Sequence, residues 1–138
     1  MTMAVSHIKA TFSYGLPKVW DAVVSLKEYS WRSDLDRIEI REPGKQFVEF
    51  TKEGYPTTFT ITVFQPCERY EFDMENGNMR GHWVGLFSEQ NGQTTVDFTE
   101  DVTAKKVMLR PFVGGYLKKQ QALYVADLRK FLETNKEK

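Results

Sequence analysis

Hydrophobic and polar residues alternate along most of this chain, and the period lengthens to that of a helix in two places. His7 to Tyr14 sets Ile8, Ala10 and Phe12 on one face and Lys9, Thr11 and Ser13 on the other, which predicts a strand. After Gly15, Leu16-Pro17 opens a short helix, because proline suits a first helical position, and Val19, Trp20, Val23 and Val24 form its apolar side. A second helical turn is expected around Lys27 to Trp31. Strands resume over Leu35 to Arg41, Gln46 to Lys52 and Thr57 to Phe64, divided by Pro43-Gly44 and Glu53-Gly54. Taken as a tight turn, Glu53-Gly54 places Val48 opposite Phe59 and Phe50 opposite Thr57 inside, with Glu49 and Thr58 outside.

Beyond Gln65-Pro66-Cys67, two Asn-Gly pairs separate three more alternating runs. Asn76-Gly77 as a two-residue turn pairs Tyr70 with Trp83, Phe72 with Gly81 and Met74 with Met79 inside, and Asp73 with Arg80 and Glu71 with His82 outside. Asn91-Gly92 treated likewise pairs Phe87 with Val96, Gly85 with Phe98 and Trp83 with Glu100. One carboxyl, Glu100, is thereby aimed into an aromatic interior. A slip by one residue in either hairpin would reverse these assignments. From about Lys105 the period approaches 3.6, and Val113, Leu117, Tyr124, Leu128 and Phe131 trace one face of a long final helix. Pro111 and Gly114-Gly115 either kink its first turn or delay its start, since both residue types weaken a helix interior.

Seven strands, two short helices and one long helix in 138 residues make a single domain, and 41% hydrophobic with 14% aromatic content supplies its core. Nineteen basic residues balance nineteen acidic ones, so no basic field exists to hold nucleic acid or an anionic membrane. A lone Cys67 forms no internal disulfide, and with His7 and His82 it is too little for a typical zinc site. No cofactor is implied. The start of the chain lacks the pattern of a signal peptide, and no apolar run approaches the roughly 20 residues that span a bilayer, so a cytoplasmic protein without stable membrane insertion is expected. Hydrolase, metalloprotease and nucleotide-binding fingerprints are all missing.

The element order resembles the START-like superfamily, which includes polyketide cyclases and birch-pollen-allergen-like proteins (SRPBCC). The residues that carry it are VWDAVVSLKEYSWRSDLDRIEI from Val19 to Ile40, the Gly-Gln-Thr-Thr-Val run from Gly92, and the final KKQQALYVADLRKFL segment. The resemblance covers nearly the whole chain, 1–138. It implies an α+β helix-grip fold, in which a seven-stranded curved antiparallel sheet wraps around the long carboxy-terminal helix, with two short helices between strands 1 and 2. It also implies an apolar cavity between sheet and helix. The inner-face positions then give the candidate ligand contacts: Phe59, Tyr70, Phe72, Trp83, Phe87, Phe98 and Glu100 from the sheet, and Val113, Leu117, Gln120 and Tyr124 from the helix. Val48, Phe50, Ile61, Met74, Met79 and Val96 share that surface, and Leu128 closes it. Gly81 and Gly85 either leave room for a flat ligand beside Trp83 or mark bends of the sheet.

The expected function is binding of an apolar or aromatic small molecule, as carrier or sensor. Segment 107–115, with its proline and glycines, is a candidate gate. The alternative is a cyclase- or dehydratase-type enzyme acting on a polyketide-like substrate, with Glu100 as candidate catalytic acid or base. A protein-interaction regulator of co-chaperone type is a third possibility. His82 is expected to pair with Glu71 on the outer surface. Trp20 and Trp31 seal the helices on the sheet, or Trp31 and Arg32 border an entrance, and Asp34 and Asp36 pair locally with Arg32 and Arg37. Lys118-Lys119 and Lys136-Glu137-Lys138 are solvated charges.

Overall fold

A computed structural model describes residues 3–134 of the chain; the Lys136-Glu137-Lys138 group lies outside them. The strands are β1 (Ala4–Phe12), β2 (Leu35–Glu42), β3 (Gln46–Thr51), β4 (Pro56–Gln65), β5 (Arg69–Glu75), β6 (Met79–Gln90) and β7 (Gln93–Ala104). They form one antiparallel sheet in the order β1-β7-β6-β5-β4-β3-β2. Helix α1 (Leu16–Val24) follows β1, and α2 (Arg110–Thr134) ends the described chain after a 3-10 turn at Val107–Leu109. This is the helix-grip architecture.

Helix α1 begins at Gly15 with Pro17 in its first turn and buries Val19, Trp20 and Ala22. The expected second helix around Lys27 to Trp31 does not form. Ser25 leaves helical geometry, and its hydroxyl accepts the amides of Lys27 and Glu28. The Trp31 indole N–H takes the Glu28 carbonyl, so groups that a new helix would need are committed to turns. Helix α2 runs straight through Gly114 and Gly115 for 25 residues, with Pro111 near its start, where no intrahelical N–H is required of it.

Loop length decides which face each strand shows. At Asn91-Gly92 both residues have positive φ, 55° and 78°, and the two-residue turn gives the expected register, Phe87–Val96, Gly85–Phe98 and Trp83–Glu100. At Asn76 the carboxamide oxygen accepts the amides of Asn78 and Met79, and the ladder closes only at Glu75–Arg80. The expected pairs therefore move by two residues: Phe72 faces Trp83, Tyr70 faces Gly85, Met74 faces Gly81 and Asp73 faces His82. An even shift keeps every side chain on its face.

The β3–β4 connection differs by an odd number. Gly54, at φ 83°, closes a longer loop in which the Thr51 amide donates to the Tyr55 carbonyl. Phe47, not Val48, faces Phe59, and Glu49 faces Thr57. The expected inward placement of Val48 and Phe50 is thus overturned: Phe47 and Glu49 point to the helix side, and Phe50 lies under the Arg37 guanidinium.

Two apolar clusters hold α2 on the sheet. Near its carboxy end Val125, Leu128 and Leu132 pack with Phe12, Val19, Trp20 and Val96. Near its amino end Val113 and Leu117 pack with Val102 and Ala104. A clasp lies between them: the Ser6 hydroxyl donates to Gln121 Oε1 at 2.7 Å, and Gln121 Nε2 donates to the Ser6 carbonyl at 3.1 Å, both residues being buried.

A Cβ added at Gly114 or Gly115 meets nothing within 4 Å, whereas one at Gly81 overlaps the Asp101 carbonyl oxygen of the adjacent strand. Gly114→Ala and Gly115→Ala should each raise stability by about 0.5–1 kcal/mol, as helix propensity dictates. Gly81→Ala should lower it, because β6 must part from β7. Urea denaturation midpoints of the three variants check both signs.

Candidate functional site: a cavity between sheet and helix

Between the two clusters α2 stands off the sheet and leaves a cavity of about 220 Å³. Of the residues expected there, Phe59, Tyr70, Phe72, Trp83, Phe98 and Glu100 line it from the sheet, and Leu117, Gln120 and Tyr124 from the helix. Two do not. Phe87 packs edge-on against Trp20 at 4.8 Å within the first cluster, and Val113 belongs to the second. Met74 and Met79 also line the space, while Ile61, Val96 and Leu128 belong to or pack against the first cluster.

The aromatic wall is built by rings that hold one another. Trp83 stacks on Phe72 at 4.8 Å and 4°, and Phe98 leans on it at 4.8 Å. Phe59 stacks on Phe47 at 5.0 Å and 4°. The indole of Trp83 also lies over Gly85, so that an added Cβ would sit 2.5 Å from its ring. The room expected beside Trp83 is taken by the indole itself at Gly85 and by the β7 backbone at Gly81. These glycines serve close packing, and the open volume lies elsewhere.

Sequence reasoning gives Arg32 a place only at the border of an entrance, and does not find the polar end that it builds with Glu49. Arg32 reaches into the cavity from the irregular segment after α1 and is paired with Asp34 at 3.1 Å and Glu49 at 3.2 Å. Its guanidinium lies 5.0 Å over the Tyr124 ring. Burial alone would lower the Arg32 pKa, but Glu49 and Asp34 outweigh it and raise it further. The Arg32–Asp34 spacing signalled the local pair. Glu49 was placed outside because the β3–β4 loop was taken one residue too short.

Three other polar groups face the space with no hydrogen-bond partner among the described residues: the hydroxyls of Tyr70 and Tyr124 and the carboxyl of Glu100. Burial raises both phenol pKa values, so both remain protonated donors at neutral pH. Burial, with a smaller contribution from the charge of Asp101, pushes Glu100 up to about 7. Tyr116, half-exposed at the cavity edge, has its pKa raised first by burial, then by the charge of Asp34 and then by that of Glu100.

The histidines lie elsewhere. His82 bridges Asp73 at 2.6 Å and Glu71 at 2.7 Å on the outer face, and His7 pairs with Asp97 at 2.7 Å. Among the described residues no group of three or more His, Cys, Asp or Glu is placed to hold a metal ion. No helix there is long and apolar enough to cross a membrane.

This arrangement, a curved antiparallel sheet gripping one long helix, is the helix-grip fold. Solved structures share it. A START superfamily protein from Mycobacterium smegmatis superposes with a TM-score of 0.81 at 13% identity, over 94% of this chain and 97% of its own. Ara h 8.0201 gives 0.78 at 13% identity over 97% and 100%. DynU16, from the dynemicin biosynthetic locus, gives 0.75 at 14% identity over 94% of this chain and 47% of its own, about half its length. No family model and no curated protein matches the chain. At such identities the likeness is one of fold.

Glu100 binds a proton more tightly in the native state, near 7, than at its ordinary 4.5. Stability conferred by that proton is complete below about pH 4.5 and is lost as pH rises through about 7, by at most ~3 kcal/mol. Glu100→Gln should flatten that fall and make the protein more stable than the parent near pH 8, as denaturant midpoints across the range would show. Arg32→Met leaves Asp34 and Glu49 without their cation and should cost about 3–5 kcal/mol, read in the same way.

Proposed function

We propose that the chain, acting over 1–138 as a single ligand-binding domain, binds an apolar or aromatic small molecule in this cavity as a carrier or sensor. The observation that carries the reading is an interior space walled by aromatic rings, onto which Tyr70, Tyr124 and Glu100 present polar groups that no described residue satisfies. Among the described residues no fully buried side-chain oxygen or nitrogen lacks a partner, so these three groups stay accessible within the cavity and their hydrogen bonds are available to a guest. The volume limits that guest. A dry cavity of about 150 Å³ accommodates benzene, so about 220 Å³ suits a molecule of one or two rings better than a long lipid chain. Burial of its apolar surface, at about 25 cal/mol per Å², would drive binding, and the polar groups would orient it. Half-exposed Tyr116 marks an entry beside segment 107–115.

A second reading, an enzyme of cyclase or dehydratase type on a polyketide-like substrate, is favoured by one observation. The Glu100 carboxyl is held near 7, where an acid or base works best at neutral pH, with the Tyr116 phenol close by. If a substrate is found, Glu100→Gln should lower its turnover by about 10²-fold or more while leaving binding within a few-fold. Equal turnover in that variant removes Glu100 as the catalyst.

Native mass spectrometry of the purified protein, followed by denaturing extraction, tests the binding reading. A stoichiometric compound of one or two rings is expected. Gln120→Trp fills the cavity from α2 and should abolish its retention while the fold, followed by circular dichroism, is kept. Retention unchanged in Gln120→Trp would place the ligand outside the cavity.

A further inference from the structure

The charges that face the cavity are unequal in sign and in availability. Inside it, Arg32 is the one cation among the described residues, against the carboxyls of Asp34, Glu49 and Glu100. At the exposed rim Arg80 accompanies Glu75, and Glu75 is also held by Lys105 at 2.7 Å. The cation inside is saturated. Arg32 Nε and Nη2 donate to Asp34, and Nη1 and Nη2 donate to Glu49, which uses four of its five N–H groups. Its flat face is over Tyr124. An anionic guest would therefore meet no free positive charge in the interior, and would meet the Glu100 carboxyl.

Glu100 is in the opposite condition. It accepts no hydrogen bond from any described residue, and its neighbours across the sheet are Trp83 and Ser6. Ser6 has its single hydroxyl proton on Gln121. A carboxyl so placed, on a wall of aromatic rings, lacks only a counter-ion, and a guest can bring one.

Building on the binding reading above, we propose that the cavity selects a small protonated amine carrying an apolar or aromatic body, with its ammonium donated to Glu100, and rejects carboxylates of the same shape. The aromatic wall takes the body, and Tyr70 and Tyr124 lie toward the Arg32 and Glu49 charges at the other end of the cavity. Binding draws Glu100 into its ionised form, so amine affinity rises as pH increases through about 7, the range in which that carboxyl gives up its proton. Arg32 and the cavity phenols do not share this window. Arg32 stays charged, and the phenols of Tyr70, Tyr116 and Tyr124 are raised above their ordinary values. His82 and His7 are on the outer face, away from the cavity.

Three probes of one shape and different charge decide the matter: phenethylamine, phenethyl alcohol and phenylacetate, titrated into the full chain by calorimetry, with amide chemical shifts locating each. The amine should bind at least about 10-fold more tightly than the alcohol at about pH 8, lose that advantage at about pH 5, and leave phenylacetate the weakest. Glu100→Gln, confirmed folded by circular dichroism, should make amine and alcohol equal. An alcohol that equals the amine in the parent protein, or a phenylacetate that exceeds it, overturns the charge selection and leaves the cavity reading standing. Binding by none of the three, with no shift at Tyr70, Trp83 or Tyr124, overturns the cavity reading together with it.

Discussion

A sheet wrapped around a helix keeps an interior space only if the helix is held at both ends and stands off between them. Here Val125, Leu128 and Leu132 seat one end of α2 against Phe12, Trp20 and Val96, and Val113 and Leu117 seat the other against Val102 and Ala104. Between these seats the helix presents Gln120, Gln121 and Tyr124, two amides and a phenol, where continuous leucines would close the gap. Apolar burial at the ends stabilises the stand-off that the middle requires. The aromatic rings of β4 to β7 then support one another by stacking and edge contacts, and Tyr124 of the helix meets the wall edge-on at Phe98.

The polar end depends on a segment that is not regular structure. Because Ser25 and Trp31 capture backbone groups after α1, the chain turns and delivers Arg32 beneath the helix instead of into a second one. A buried guanidinium is tolerated only with partners, and Asp34 and Glu49 supply two. The cavity thus has an apolar wall with fixed rings, one end where charge is internally satisfied, and one carboxyl where it is not. In the binding proposed above, that asymmetry, more than the fold, would set the chemical preference of the site.

Much of this was legible in the sequence, and the exceptions share a cause. Strand positions, the long helix and the inward aim of Tyr70, Phe72, Trp83, Phe98 and Glu100 follow from alternation and from Asn91-Gly92, where the turn has no alternative length. Asn76-Gly77 was misjudged by two residues because a side-chain oxygen lengthens the loop, yet an even error leaves the faces intact. At Gly54 the error was odd, and it hid both Phe47 and Glu49. Arg32, expected only at the border of an entrance, reaches the interior for a different reason. Its position depends on a turn that local propensity does not encode, and on a partner 17 residues away. Phe87 shows the converse limit: alternation gives the face of a strand but not how far along it the cavity extends.

The clasp between Ser6 and Gln121 joins residues 115 apart in sequence and fixes α2 lengthwise, since sliding by even one residue, about 1.5 Å, would strand two buried polar groups. Its other effect is on a bystander. Ser6 lies directly across the sheet from Glu100 and is the nearest strand neighbour with a hydroxyl proton to give. By committing that proton to the helix, the clasp that holds the space open also keeps the carboxyl unanswered. One hydrogen bond thus both anchors the helix and withholds from Glu100 the hydroxyl proton directly across the sheet.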